Sequence, residues 1–195
     1  MTDRPILFSA SMVRAIRAGH KTQTRRVAKP YPFSLNEKPA DVVGFRVRRP
    51  DGSEEGAFVR PCPYGKPGDR LWVRENCWAH KDTGEIFGYC AEDETLYDDN
   101  KTVKKVPSIH MPRSKCRLML EIIAVRIERL HDISAADAIA EGIRPAANPT
   151  TIDCDTPDPR IGFRHLWKSI NGVESWRENP FVWIVEFRKV DKHGD

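Results

Sequence analysis

The densest concentration of chemically useful side chains lies at Gly19-His20-Lys21-Thr22-Gln23-Thr24-Arg25-Arg26. Residues 1–26 carry six basic side chains (Arg4, Arg14, Arg17, Lys21, Arg25, Arg26) against Asp3 alone, a net +5 in a chain whose total is +4. The rest therefore sums to −1, with acidic runs at Glu92-Asp93-Glu94 and Asp98-Asp99. Basic charge gathered this tightly attracts phosphate, although a solvated basic face has the same composition. Arg25 and Arg26 each offer a planar fork suited to phosphate or carbonyl oxygen, and Thr22 stands beside them as a further ligand contact. An ion pair with the acidic runs is the competing use for the two arginines.

Other chemistry-bearing residues are scattered. Trp72 and Trp78 share parity if one strand carries both, and a Trp face can stack on a base for about 1–3 kcal/mol. Trp72, inside Leu71–Val73, reads as core; Trp78 reads equally as core or as a stacking platform. His110 and Arg113 sit in the proline-bracketed loop Pro107–Arg113, where a stiff backbone holds polar groups at a cleft with little entropy cost. Glu75 is a carboxylate at a strand end. Cys77, His80 and Cys90 can be drawn as a zinc site, but the five cysteines form no closely spaced pair, so reduced thiols and no metal are expected.

These residues need elements to position them. Ile6–Phe8 reads as a short strand. Ser9 or Ser11 caps a helix through Ala18, and Gly19 takes the residue position past its end, where φ is positive. Thr22 to Val27 is expected to be a strand, which places the basic motif on a helix-to-strand junction. Residues 28–68 are rich in Pro, Gly and charge, with a hairpin expected around Pro50-Asp51-Gly52. Further strands are expected at Leu71–Glu75, Ile86–Ala91, Arg117–Leu130 and Phe181–Phe187. The third of these is long enough to bulge, or else folds back as a hairpin. Ser134 caps a helix that runs through Glu141 to a stop at Gly142, 144–160 is a long loop, and Phe163–Ile170 is an amphipathic helix.

Strands interspersed without period among two or three short helices indicate an α+β class in one domain, with insertions at about 28–68 and 144–160. The 39% hydrophobic content supports a core, and no apolar run approaches the roughly 18 residues of a membrane span. The first residues lack the apolar stretch of a secretion signal, so a cytoplasmic location is expected. Glycine-rich phosphate loops, HExxH and Cys–His nucleophile signatures are absent from the sequence, and no cofactor is implied.

The string Ala15–Arg26 resembles the GxKTxTxR signature of the ASCH domain family. Gly68–Val73 is similar to that family's entry into a barrel strand, Ser134–Gly142 to its glutamate-bearing helix, and Trp183–Phe187 to its closing strand. With Ser108–Arg113, the pattern resembles ASCH proteins of bacteriophages and prophages. The resemblance implies a PUA-like mixed β-barrel whose cleft accepts RNA, single-stranded DNA or a modified nucleoside. Some members are hydrolases that remove acetyl from N4-acetylcytidine. In those, roles fall by motif position on Lys21 as proton acceptor, Thr24 as nucleophile and Glu141 as proton donor. Other members bind RNA without turnover or cleave it, so family alone does not fix the chemistry.

The roles are physically coherent. A Thr hydroxyl needs a base to take its proton, and Lys21 becomes one only if its pKa falls several units from about 10.4. Burial and the cations Arg25 and Arg26 push it that way. Strand parity sets a condition: Thr22, Thr24 and Arg26 share one face of a regular strand, so Lys21 can meet Thr24 only from the turn after Gly19.

Overall fold

The computed structural model describes residues 2–29, 43–48, 52–92, 102–145, 153–154 and 158–191. The acidic run Asp98-Asp99, most of Glu92–Glu94, the turn Pro50-Asp51 and much of the 144–160 segment lie outside the described residues. In chain order the strands are β1 (Asp3–Leu7), β2 (Gln23–Val27), β3 (Val43–Arg48), β4 (Glu54–Val59), β5 (Arg70–Arg74), β6 (Cys77–His80), β7 (Ile86–Tyr89), β8 (Val103–Val106), β9 (Met119–Arg129), β10 (Arg144–Pro145), β11 (Asp153–Cys154) and β12 (Phe181–Val190). The helices are α1 (Ala10–Arg17), α2 (Ala135–Ala140), α3 (Pro159–Asn171) and α4 (Val173–Arg177). The class is α+β, as expected.

The central sheet runs β1-β5-β9-β12-β2, and its two edge strands, β1 and β2, are not hydrogen-bonded to each other. A side chain joins them instead: Arg26 on β2 donates from Nη2 to the carbonyl of Leu7 on β1 at 2.8 Å. Opposite edges of a five-stranded sheet come within one side chain's length only if the sheet curls into a barrel-like shape. The gap left between those edges is where the principal cavity opens.

β12 is buried on both faces. Val185 and Phe187 join Ile6, Phe8, Val13, Leu71, Leu120 and Ile122 inside the curl, while Val182 and Ile184 pack with Ala138, Phe163 and Trp167 beneath α2 and α3. Each such side chain contributes about 1.5–3 kcal/mol on leaving water. β9 is a single long strand, not a hairpin. Its pairing with β12 shifts register so that Ile122 faces Phe187 and Ala124 faces Glu186, leaving Ile123 as the extra residue of a bulge.

The expected hairpin after residue 42 is present as β3 paired antiparallel to β4. Several elements differ from expectation, β8 and α4 among them. Trp72 and Trp78 do not share a strand: β5 ends at Arg74, and Trp78 belongs to β6 of a separate sheet ordered β7-β6-β8. α3 begins at Pro159, four residues earlier than its apolar pattern suggests, because Asp158 caps it and Pro159 occupies the first turn where no N–H is needed. The 144–160 segment is not wholly loop, since β10 and β11 pair in parallel. Among the described residues no helix is long and apolar enough to cross a membrane.

Candidate functional site

Two helix ends build the site. Ser9 accepts the Met12 N–H at the start of α1, and at its far end Gly19 (φ 75°) and His20 donate to the carbonyls of Ile16 and Ala15. α2 repeats the plan: Ser134 accepts from the Asp137 N–H, Gly142 (φ 95°) donates to Ile139, and Ile143 donates to Ala138. Both ends are Schellman closures, which need a left-handed residue after the cap. They aim two polar residues at each other. Lys21 follows the first closure, Glu141 caps the second, and their backbones form an isolated antiparallel bridge. Gly142 also permits this approach sterically, because a Cβ there would lie 3.3 Å from the Lys21 Cβ and from the Ala15 Cβ.

Lys21 therefore stands before β2, in the turn, as the parity condition requires. Its Nζ donates to Glu141 Oε2 at 2.7 Å and to the Glu141 carbonyl at 2.9 Å. Both residues are buried, at 2% and 3% exposure. Burial pulls the Lys21 pKa below its ordinary value, the Glu141 carboxylate opposes that fall, and Arg26 and Arg25 add to it.

Opposed residues of an antiparallel pair share a face. Arg25 lies opposite Ile184, which in turn lies opposite Arg126, while Thr24 lies opposite Val185 on the other face. Arg25 thus points beneath α2. Its Nη2 donates to Glu128 Oε1 at 2.6 Å and lies 3.3 Å from Asp137 Oδ2, and its Nη1 donates to Glu141 Oε1 at 3.3 Å. Arg126 joins Asp137 at 2.8 Å and also pairs with Glu186. Gln23 completes the nest by donating to the carbonyl and Oδ1 of Asp137. Although burial raises it, the Asp137 pKa ends below its ordinary value because Ser134 and Gln23 donate to it. Burial also lifts Glu128, against the pull of Arg25.

Arg25, expected as a phosphate contact, borders the principal cavity but is already engaged by the chain's own carboxylates. At 2% exposure, with three carboxylates around its terminal nitrogens, it is an internal clamp. Arg26 is different. It places its guanidinium 5.4 Å over the Phe8 ring, donates among the described residues to the carbonyls of Leu7 and Arg25, and borders a cavity of about 490 Å³. That volume is within the range of small-ligand sites. Phe8, Phe163 and Trp167 give it apolar walls, and Glu141 is its lining carboxylate among the described residues.

The other sequence-predicted residues fall as follows. Thr24 is 1% exposed and its hydroxyl has no hydrogen-bond partner, and it lines neither this cavity nor a second one of about 590 Å³. Thr22 is exposed and borders the second cavity together with Lys21. Trp78 is packed in the core with Gly88 against it and Lys105 6.0 Å from its ring, so it is not a stacking platform. His110 is exposed and Arg113 pairs with Asp3; neither lines either of these two cavities, whereas Ser108 of the same turn lines the first. Glu75 is gripped by Arg117 through both oxygens at 2.8 and 2.9 Å, which removes it from acid–base work at Glu141. His80 packs its ring on Phe87, and burial pushes the Cys77 thiol up to about 11. Among the described residues no three His, Cys, Asp or Glu side chains gather as metal ligands.

Sequence reasoning missed Arg74, Asn76, Phe163 and Trp167 on the cavity wall, and Glu128 and Asp137 in the nest. The helical stripe of α3 announced Phe163 and Trp167 as buried, but nothing local shows that their outer edges border a cavity.

No family model and no curated protein matches the chain. Two solved structures are similar to it. One is a protein from Enterococcus faecalis V583 described under the family DUF984, at 11% identity and a TM-score of 0.42, covering 100% of this chain and 85% of the other. The second is an ASCH domain from Lactobacillus crispatus JV V101, at 11% identity and a TM-score of 0.40, covering 97% and 80%. Neither likeness bears on the chemistry of the site.

Proposed function

We propose that the protein is nucleic-acid-associated, that its cavity holds a nucleobase, and that Lys21 and Glu141 make it a hydrolase of N4-acetylcytidine-type substrates. The observation that carries this reading is the buried Lys21–Glu141 pair at 2.7 Å, with Glu141 opening onto an apolar, base-sized cavity. An amine base and a carboxylic acid are what amide cleavage requires, and a single proton hop from Lys21 to Glu141 produces both at once. Burial, which lowers the Lys21 pKa, works toward that hop, while the neighbouring Glu141 carboxylate works against it.

In this reading Thr24 is the nucleophile. Its buried hydroxyl has no partner to release when a substrate arrives. Lys21 Nζ accepts the Thr24 proton as Oγ1 bonds to the acetyl carbon, and the C–N bond breaks as Glu141 hands its proton to the departing cytosine amine. Water then cleaves the acyl-threonine to acetate. The expected products are acetate and cytidine in equal amounts, read by chromatography after incubation with N4-acetylcytidine as nucleoside, in RNA and in DNA. No release from any of the three would overturn the hydrolase reading.

A second reading, base binding without turnover, is favoured by one observation: Thr24 lines neither cavity. It predicts that N4-acetylcytidine binds and is recovered intact.

A further inference from the structure

Three of the buried or half-buried arginines here face carboxylates. Arg25 meets Glu128, Asp137 and Glu141; Arg117 meets Glu75 and Glu92; Arg126 meets Asp137 and Glu186. Two that border the principal cavity do not. Arg26 donates to the carbonyls of Leu7 and Arg25, and Arg74 donates to the carbonyl of Ile109. Among the described residues neither has a carboxylate partner, and the Arg74 Nε is buried without any hydrogen bond.

The fold brings these two cations to one place. Leu7 and Arg74 are register partners between β1 and β5, and the Phe8 N–H donates to the Arg74 carbonyl at 3.1 Å. Arg26 reaches the same Leu7 from the opposite edge of the sheet. Asn76 and Ser108 border the cavity alongside; the Asn76 side-chain oxygen Oδ1 accepts the Ser108 N–H at 2.8 Å, so its side-chain amide hydrogens remain to donate. Glu141, the carboxylate in the wall, is already matched by Lys21 and Arg25. The cavity therefore has an apolar wall and a separate donor-rich wall with surplus positive charge.

We infer that the cavity takes a phosphate-bearing nucleotide, with Arg26 and Arg74 holding the phosphate while the apolar wall holds the base. This rests on the nucleobase reading above and deepens it, because a neutral nucleoside leaves both guanidiniums unmatched. A free nucleotide and a strand of nucleic acid present the same chemistry.

Titration calorimetry at low salt on the full chain separates the cases, using cytidine, cytidine monophosphate, ribose 5-phosphate and a cytosine-containing trinucleotide. The monophosphate should bind at least about tenfold more tightly than cytidine, the worth of one charge-assisted hydrogen bond. Arg74→Gln should cut that advantage, since Arg26 alone then holds the phosphate, and Arg74→Lys should restore part of it. Thermal melting confirms that each variant is folded. Equal affinity for cytidine and its monophosphate would overturn the phosphate clamp and leave the base site standing. Ribose 5-phosphate binding as well as the monophosphate, with loss in Arg74→Gln, would uphold the clamp and overturn the base site. Binding of none would overturn both. A trinucleotide tighter than the monophosphate identifies a strand as the source of the phosphate, and the reverse identifies the free nucleotide.

Discussion

Arg25 and Arg26 are neighbours in sequence and opposites in use. Arg25 faces the α2 side of the sheet, where Glu128, Asp137 and Glu141 surround it. Arg26 faces the cavity, where it meets an aromatic ring and carbonyls. The first arrangement satisfies a buried charge and is structural. The second leaves a half-buried charge with no carboxylate partner among the described residues, which is the charge we propose a phosphate meets. What distinguishes them is the partner across the strand pair: Ile184 beneath α2 for one, Trp183 for the other.

The largest expected effect breaks the inner side. Arg25→Gln leaves three carboxylates crowded in a buried nest, and should cost about 3–5 kcal/mol in chemical denaturation, the usual loss on removing one partner of a buried ion pair. Arg26→Gln, one residue on, loses the charged hydrogen bond to Leu7 and should cost only about 1–2 kcal/mol, while weakening ligand binding. Similar costs for the two variants would dissolve the comparison.

Asp137→Asn comes next. It keeps the side-chain shape but withdraws a charge shared by Arg25 and Arg126, and a loss of about 1–3 kcal/mol at neutral pH is expected. Because Asp137 titrates below its ordinary range in the folded protein, its contribution is present above the unfolded value and fades as pH falls through the folded one. The gap between wild type and variant should therefore narrow in acid.

Thr24→Val should move the other way. Removing a buried hydroxyl that has no partner should stabilise the fold, by about 1 kcal/mol, since the desolvated group gains nothing where it is. If Thr24 is the nucleophile, the same variant has no acyl transfer. A more stable protein with full turnover would assign the attack to water.

The smallest effect is a slope. The folded protein releases the Lys21 proton below its ordinary value of 10.5, whereas the unfolded chain keeps it until that value. The unfolded state binds more protons in that window, so stability contributed by this group rises with pH there. Denaturation of wild type and Lys21→Met across alkaline pH should show that component in the wild type alone.

Much of the frame was legible because its signals are local. Ser9, Gly19, Ser134 and Gly142 mark helix ends by side chain or by φ, and the apolar run Phe181–Phe187 marks β12. Lys21 and Glu141 were reached through motif resemblance, and their bridge shows why: each follows or caps a helix closed by the same turn. The partners of Arg25 were not legible, since Glu128 and Asp137 are over a hundred residues away, the first brought to it by the β2-β12-β9 register and the second by the packing of α2. β6 and β8 were missed for another reason. Four residues such as Val103–Val106 carry too little pattern, and Trp78 reads as exposed or core until Gly88 is known to pack on it.

The most direct test of the Lys21–Glu141 assignment is single-turnover acetate release from N4-acetylcytidine by the wild type and by Glu141→Gln, with nucleotide binding measured in parallel. The predicted result is retained binding with release slowed by about 100-fold or more, the usual contribution of a positioned proton donor. Release by the variant at the wild-type rate would contradict the assignment.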